Sequence, residues 1–257
     1  MISLTDALIL GIIQGTTEWL PISSSAHLAL AQTFLNSDTS IVYDVVLHIG
    51  TLLALLVYFR NDLYKLIIGV INKKEKEIRL ALLIIICSIS TAIIGFLFKD
   101  YFESIFFDMT AIGVTLAING IIIILATRFK GTNAIDMKSS FLVGIAQGIS
   151  VSPGISRSGA TISTAMFLGV EKNEAAKFSF LASIVPILGV SILEGRKAFD
   201  GSIEVLPLAV GFITSAIVGY LSIKLLFKFL KESKFQWFGY YCIILAFLVL
   251  ISPNIFV

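Results

Sequence analysis

Charged side chains are scarce in this chain. Asp, Glu, Lys and Arg make up 14% of its 257 residues, whereas 57% are hydrophobic and the mean hydropathy is +0.96. Soluble globular domains carry roughly 25% charged residues. The composition therefore excludes that class and predicts an integral membrane protein.

Cysteine is also rare, and the N-terminus lacks the basic region of a signal peptide. Cys87 and Cys242 both lie within apolar stretches, which argues against a disulfide or a metal role and predicts small packing residues. Ser3 or Thr5, followed by Asp6, predicts the start of a helix. We expect the mature chain to begin there.

Six apolar stretches are long enough to cross the hydrocarbon of a bilayer, which takes about 20 residues. They lie near residues 42–60, 78–98, 109–128, 174–194, 205–229 and 236–253. Two further stretches, roughly 4–35 and 138–169, are interrupted at their centres by Pro, Gly and Ser. Irregular backbone at that depth is tolerated only inside protein or beside water. We therefore expect an all-α membrane protein with six transmembrane helices and two re-entrant helix–loop–helix hairpins.

The two interrupted stretches repeat one another at an offset of 133 residues. Between 11–25 and 144–158, seven of fifteen aligned positions are identical. Three spans follow each hairpin, and because three is odd the second half must be inverted. We predict one membrane domain, 1–257, built from inverted halves 1–133 and 134–257. Broken hydrophobic segments at matching places in two such halves indicate a binding site near the midplane.

The first hairpin carries groups suited to chemistry. Gln14 and Glu18 are four residues apart, on one face of the entering helix. Ser23 or Ser24 is a suitable N-cap for the returning half-helix, and His27 lies one turn later. A carboxylate inside a membrane is costly to bury and is a functional candidate by default. A Glu and a His on either side of a Ser triplet are typical of a nucleophile with its base.

The second hairpin supplies a cation. Arg157 is the side-chain type suited to a bidentate grip on phosphate or carboxylate. The half-helix that begins near Ser156 offers free N–H groups and the positive end of its dipole, as does the one near Ser24. We expect the two helix ends to converge and to bind a multiply charged anion. Alternatively, Ser and Gly here merely permit close helix packing, but that explanation leaves Arg157 unaccounted for.

Small and polar residues elsewhere have simpler interpretations. Gly211, Ser215 and Gly219 recur at four-residue spacing, which predicts close helix packing. His48, with Asp44 one helical turn before it, is interpreted as part of a structural polar pair.

Both hairpins resemble the undecaprenyl-diphosphate phosphatases of the bacitracin-resistance type. That family has Glu or Gln, three residues and Glu, then Pro-x-Ser-Ser and a His, and later Pro-Gly-x-Ser-Arg-Ser-x-x-Thr. This chain reads Gln14-Gly15-Thr16-Thr17-Glu18 and Pro21-Ile22-Ser23-Ser24-Ser25-Ala26-His27, then Pro153-Gly154-Ile155-Ser156-Arg157-Ser158-Gly159-Ala160-Thr161. The resemblance extends to residues 175–180 and to the overall length, so it covers nearly the whole chain.

The resemblance implies a cell-membrane phosphatase that removes the terminal phosphate of a polyprenyl diphosphate, with help from Mg²⁺ or Ca²⁺. This reaction recycles the lipid carrier of cell-envelope glycan synthesis. Many members have Thr-Gly where Ser25-Ala26 stands here, and Gln14 replaces an acidic option, which leaves one carboxylate fewer for a metal.

On this interpretation Ser24 is the leading nucleophile, with Glu18 or His27 as its base. Direct attack by His27, or by a water that either residue activates, is the alternative. Arg157 stabilises the charge that grows on the transferring phosphoryl group, and Glu18 with Gln14 holds the cation. The substrate-binding candidates are Gln14, Ser23, Ser25, Ser156, Ser158 and Thr161.

Two other classes of function remain. Inverted repeats with broken helices are also transporter architecture, so a transporter or flippase of an anionic lipid is the main alternative. A carrier needs no nucleophile, however, and a structural scaffold needs neither Glu18 nor Arg157. The expected partners are a polyprenyl diphosphate lipid and the membrane, with no nucleic acid, and a homodimer is left open.

Basic residues divide unevenly between the two sides of the predicted membrane. Fifteen of the 19 Lys and Arg fall on one side, Lys99, Arg196 and Lys197 fall on the other, and Arg157 lies within the second hairpin. By the positive-inside rule the first side is cytoplasmic, so both termini and the first hairpin face outward.

This topology predicts opposite labelling at two positions. A cysteine at Asp100 should react with an impermeant thiol reagent added outside intact cells, whereas one at Lys74 should not. The unsubstituted chain is the control, since its cysteines lie in apolar stretches. Labelling at Lys74 without labelling at Asp100 would overturn the outward-facing arrangement.

Overall fold

A computed structural model describes residues 2–35, 41–106, 108–197 and 205–251. Within these residues the chain is helical, and one isolated parallel bridge joins Asn133 to Val170. The helices of the described residues are α1 Leu4–Trp19, α2 Ser24–Leu35, α3 Ile41–Tyr58, α4 Arg60–Ile71, α5 Glu75–Leu97, α6 Lys99–Ser104, α7 Met109–Ala126, α8 Met137–Ile149, α9 Arg157–Phe167, α10 Lys172–Lys197, α11 Val205–Lys231 and α12 Gln236–Ile251.

Helix length and composition confirm the membrane class. Helices α5, α7, α10 and α11 are long and apolar enough to cross a bilayer. Helices α3 and α4 qualify only as a pair, bent by 73°, and α12 is a shorter apolar helix. The chain turns at Phe59 into α4, so the first span ends earlier than predicted. Helix α4 itself was not predicted from the sequence. Residues 252–253 of the last predicted span and the side chains of 196 and 197 lie outside the described part.

Each interrupted stretch is a helix, a break and a shorter helix, as predicted. The first break separates α1 from α2, and the second separates α8 from α9. Gly154, in the second break, has φ of 87°, and a Cβ there would lie 2.0 Å from the Thr115 hydroxyl oxygen. Only glycine fits both that conformation and that space. Thr115 holds the same turn by donating to the Pro153 carbonyl at 2.6 Å.

The first helix of each hairpin packs against a helix from the other predicted half of the chain. Helix α1 lies against α11, and α8 lies against α5. The repeated glycines make both approaches possible: a Cβ on Gly11 would lie 2.9 Å from Thr214 Cβ, and one on Gly144 would lie 2.4 Å from the Cys87 carbonyl oxygen. Each entering helix therefore rests on the helix that holds the equivalent place in the other half. The division into halves at residue 133 stays a prediction.

Several smaller expectations are met. Ser3 caps α1, since the Asp6 N–H donates to its hydroxyl at 3.0 Å. Cys87 and Cys242 are buried free thiols. Ser215 donates to the Leu47 carbonyl at 3.0 Å, so α11 packs closely on α3 as its small residues predicted.

Replacing Gly144 by Ala tests the close approach of α8 to α5. The added methyl group would overlap backbone, so we expect the free energy of unfolding to fall by about 1–3 kcal/mol. Thermal unfolding of the purified protein in detergent measures the change. The matched control is Gly95→Ala on α5, where a Cβ meets nothing within 4 Å. Equal stability of the two variants would show that the approach does not require glycine.

Candidate functional site

The Glu18 carboxylate is the centre of the candidate site. Glu18 is 7% exposed and lies one residue before the end of α1. Its Oε2 accepts from the Ser24 hydroxyl at 2.6 Å and from Gln14 Nε2 at 3.1 Å. Its Oε1 accepts from Arg157 Nη2. Four predicted site residues, distant by up to 143 positions in sequence, therefore meet at one carboxylate.

Both half-helices begin at this carboxylate. Ser24 is the first residue of α2 and Arg157 is the first residue of α9, and the 133-residue offset makes them equivalent positions. Unpaired N–H groups and the positive end of the dipole lie at a helix N-terminus. The predicted convergence of two helix N-termini is therefore present, and it surrounds Glu18 with positive potential.

The flanking serines cap the two half-helices, and their role in substrate binding stays a prediction. The Ala26 N–H donates to Ser23 Oγ at 3.4 Å, and the Gly159 N–H donates to Ser156 Oγ at 3.2 Å. Each cap hydroxyl lies 3.2 Å from the hydroxyl two residues on, in Ser25 and in Ser158. The hydrogen bonds at the two caps therefore correspond, although the backbone of Ser23 is left-handed, with φ of 69°, and that of Ser156 is extended, with φ of −77°.

Thr161 lies away from Glu18. Its hydroxyl contacts the Arg157 carbonyl at 2.7 Å and Ser179 Oγ at 2.5 Å, within the packing of α9 on α10. Thr161 therefore supports the start of α9, and its role as a substrate-binding candidate stays a prediction.

Arg157 has donor capacity to spare. Its side chain is 17% exposed, and its guanidinium lies 5.2 Å from the centroid of the Trp19 ring, a cation–π distance. Nη2 binds Glu18, while Nη1 is buried without a hydrogen-bond partner in the described part of the chain. A buried N–H without a partner is costly unless a ligand completes it. Nη1 therefore keeps a donor available for an anion.

Asn119 joins the two breaks and was missed by sequence reasoning. This fully buried side chain of α7 donates from Nδ2 to the Pro21 carbonyl at 3.2 Å and accepts on Oδ1 from the Ser156 N–H at 3.1 Å. An amide side chain can donate from its nitrogen and accept on its oxygen at the same time, so Asn119 can bind both breaks. A lone Asn within a strongly apolar span was the available indication.

The two histidines differ from expectation. His27 donates from Nδ1 to the Ser23 carbonyl at 2.7 Å, and its Nε2 lies 2.7 Å from the Tyr241 hydroxyl, so neither ring nitrogen contacts Ser24. His48 was interpreted as part of a structural pair, but its Nε2 lies 3.7 Å from Glu18 Oε2. The Nδ1 of His48 donates to the Asp44 backbone carbonyl at 2.8 Å. His48 therefore faces the site, which its spacing from Asp44 did not reveal.

The oxygen ligands near Glu18 suit a weakly held hard cation. Gln14 Oε1 is buried without a partner in the described residues, next to the Glu18 carboxylate. No cluster of three or more His, Cys, Asp and Glu side chains within those residues is placed to hold a metal. Mg²⁺ commonly takes one or two protein ligands and keeps water and substrate phosphate as the others. Two oxygens fit that mode of binding and do not form a closed cage.

Together these groups can perform phosphoryl chemistry. A hydroxyl hydrogen-bonded to a carboxylate is an activated nucleophile. A guanidinium with a free N–H, beside two helix N-termini, binds and stabilises a phosphate.

Comparison with known proteins identifies the family of the chain. The family model described as Bacitracin resistance protein BacA matches residues 7–248. An Undecaprenyl-diphosphatase of Carboxydothermus hydrogenoformans is 40% identical over 256 residues, which cover 96% of each chain. Proteins of the same name from Methanococcus vannielii and Korarchaeum cryptofilum are each 38% identical, covering 95% and 96% of this chain and 98% of their own. The likeness spans nearly the full length of all four chains.

Energetic coupling between Glu18 and Arg157 is the structural test of the site. Glu18→Gln leaves a buried guanidinium without its counter-ion, so we expect the free energy of unfolding to fall by about 3 kcal/mol. Arg157→Gln should cost a similar amount, and the double variant should lose less than the two losses combined. Unfolding in detergent gives all three values. Glu103→Gln, at an exposed pair with Lys99, is the matched control and should be nearly neutral. Additive losses would exclude the ion pair.

Proposed function

Because this chain belongs to the BacA family of bacitracin resistance proteins, we propose that it is a membrane phosphatase that hydrolyses undecaprenyl diphosphate to the monophosphate and inorganic phosphate. The relatives' names supply the substrate. One observation supports the chemistry above all others: the Ser24 hydroxyl donates to Glu18 at 2.6 Å, beside an Arg157 with a free Nη1. Recycling of the lipid carrier used in cell-envelope glycan synthesis follows from that reaction.

The terminal phosphate binds first at the two helix N-termini and Arg157. Its oxygens accept from Nη1 of Arg157, which has no protein partner among the described residues, and from the free N–H groups of α2 and α9. A doubly charged phosphate also competes with Glu18 for Nη2. Substrate binding thereby loosens the ion pair and frees the carboxylate for proton transfer.

The reaction then proceeds by double displacement. Ser24 Oγ attacks the terminal phosphorus while Glu18 takes its proton, and the bond from phosphorus to the bridging oxygen breaks. The prenyl monophosphate leaves with the bridging oxygen and its electron pair. Water next attacks the phosphoserine, and its two protons stay on the inorganic phosphate that is released. The bond from phosphorus to Oγ breaks with its electron pair on Oγ, and Glu18 returns its proton to Ser24. Arg157 stabilises the equatorial oxygens in both transition states.

His27 remains the rival nucleophile. Its Nδ1 carries the proton that it donates to Ser23, so a neutral ring has its lone pair on Nε2, at the Tyr241 hydroxyl. Attack by His27 therefore requires a substrate placed at Tyr241 or a rotated ring. The contact of Ser24 with Glu18 favours serine.

A divalent cation would be held by Glu18 and by the free Gln14 Oε1. Bound there, Mg²⁺ or Ca²⁺ would supply positive charge for the phosphate oxygens. Because the protein supplies two oxygens, the phosphates of the substrate would add to the affinity of the site for the cation.

The site faces the outer side of the cell membrane in this proposal. The division of basic residues supports the orientation, because the side that carries most of them is cytoplasmic by the positive-inside rule. Both termini then face outward, and the substrate enters from the outer leaflet with its prenyl tail between spans.

Phosphate release from a long-chain polyprenyl diphosphate by the purified protein tests the function. Ser24→Ala removes the attacking atom, so its activity should fall to background, about 10³-fold or more below the unsubstituted protein. Ser23→Ala and Ser25→Ala are the matched controls, and they should keep most of the activity because they change caps and not the contact with Glu18.

Quenching a reaction with labelled terminal phosphate separates the nucleophiles. An acid-stable, alkali-labile phosphoenzyme that is absent from Ser24→Ala supports serine. A phosphoenzyme with the reverse stability, lost in His27→Ala, would assign the attack to His27. Near-full activity in all three alanine variants of the serine triplet would exclude serine. No release by the unsubstituted protein would refute the phosphatase function itself.

A further inference from the structure

A cavity lies apart from Glu18, where the segment between α7 and α8 meets the turn between α11 and α12. Its volume is about 500 Å³. None of the residues gathered around Glu18 lines it. It lies on the side that the sequence predicts to be cytoplasmic, and the proposed phosphatase reaction makes no use of it.

One wall of this cavity is a fixed backbone structure. The Asn133 N–H donates to the Gly169 carbonyl at 3.0 Å, and the Glu171 N–H donates to the Asn133 carbonyl at 3.0 Å. Gly131 lies so close that a Cβ on it would be 2.1 Å from the Gly169 oxygen. The segment after α7 is therefore held against the start of α10, and the cavity between them is a built feature of the fold.

The polar lining of the cavity is strongly cationic. Arg128, Lys130 and Lys172 all contribute to it. Lys172 donates to the neutral hydroxyl of Ser233 at 2.9 Å, and neither Arg128 nor Lys130 pairs with a carboxylate in the part of the chain that the structure describes. The single acidic residue of the lining is Glu171. Its carboxylate accepts hydrogen bonds from Asn173 and from the N–H of residue 174, at the start of α10. Three positive charges and one carboxylate thus line the cavity, a net charge of +2, and none of the three cations forms an ion pair within the described residues.

Apart from Thr127, Ser233, Gln236 and the charged residues, the lining is mainly apolar. Met166, Leu230 and Phe235 are almost fully buried and form one side of the cavity. Tyr240 lies at its edge and packs edge-on against Trp237, with ring centroids 5.8 Å apart, and both rings are about half exposed. Exposed Trp and Tyr at the ends of membrane helices sit at the interface between lipid and water.

We propose that this cavity binds the phosphate-bearing headgroup of an anionic membrane lipid. The three cations take the phosphate, and the apolar side takes the first carbons of the chains. Basic pockets between membrane helices on the cytoplasmic side recognise anionic headgroups by the same chemistry. A free phosphate would use the cations but not the apolar side, so the combination favours a lipid. The bound lipid would stabilise the junction between the two halves.

Lipid retention by the purified protein in detergent tests the site. Native mass spectrometry counts bound dioleoylphosphatidylglycerol, with dioleoylphosphatidylcholine as the zwitterionic comparison. In Arg128→Gln/Lys130→Gln, retention of the anionic lipid should fall about tenfold or more, because each cation near a lipid phosphate contributes roughly a fivefold factor. The matched control, Lys65→Gln/Lys76→Gln, removes the same charge from exposed positions on the same side and should change retention less than about twofold.

Stability measurements distinguish the sources of phosphate. The anionic lipid should raise the melting temperature of the unsubstituted protein, and this gain should be lost in Arg128→Gln/Lys130→Gln while its phosphatase activity persists. Equal retention of the anionic lipid by the two double variants would overturn the proposal. An equal gain from inorganic phosphate at the same concentration would identify a free anion as the ligand and overturn the lipid assignment.

Discussion

The architecture depends on one buried carboxylate. Burying the charge of Glu18 in a membrane protein is costly unless it is paired and hydrogen-bonded. The fold meets that need by bringing the first residues of α2 and α9, Ser24 and Arg157, to its two oxygens. Because those residues begin half-helices, the contact also fixes where each hairpin breaks. The same interaction therefore determines the depth of the breaks and the position of the reactive groups.

The repeat explains how such a contact arises. Positions identical in the two hairpins serve packing and capping: glycines where α1 and α8 meet their partner helices, and serines at the half-helix caps. The candidate reactive residues lie at positions where the two copies differ. At equivalent positions one hairpin has Ser24 and the other Arg157, and Glu18 corresponds to Val151. If both copies of the repeat had the same residue at this position, two like charges or two hydroxyls would meet. Because the copies differ, a hydroxyl and a cation meet at the Glu18 carboxylate.

Sequence patterns could predict what depends on local composition. Interrupted apolar runs predicted both breaks, and the rarity of charge within them drew attention to Glu18 and Arg157. Contacts between distant segments were less accessible. Asn119 and His48 lie in apolar spans, and the periodicity of these spans does not indicate which neighbour each side chain contacts. The bend at Phe59 has no Pro or Gly from which it could be predicted. The sequence could predict that Ser24, Glu18 and His27 lie near one another. The structure was needed to show that Ser24 contacts Glu18 and not His27.

The geometry also separates an enzyme from a carrier. Both need an anion site that excludes bulk water, and helix ends with a shared arginine would serve either. A carrier gains nothing from a hydroxyl held at 2.6 Å from a carboxylate, because that contact occupies a donor that its anionic cargo could otherwise bind. In a phosphatase the same contact prepares a proton transfer. Arg157 binds Glu18 through Nη2 and keeps Nη1 without a partner among the described residues. In the proposed mechanism a phosphate takes the arginine and thereby releases the base, so that substrate binding and nucleophile activation are one event.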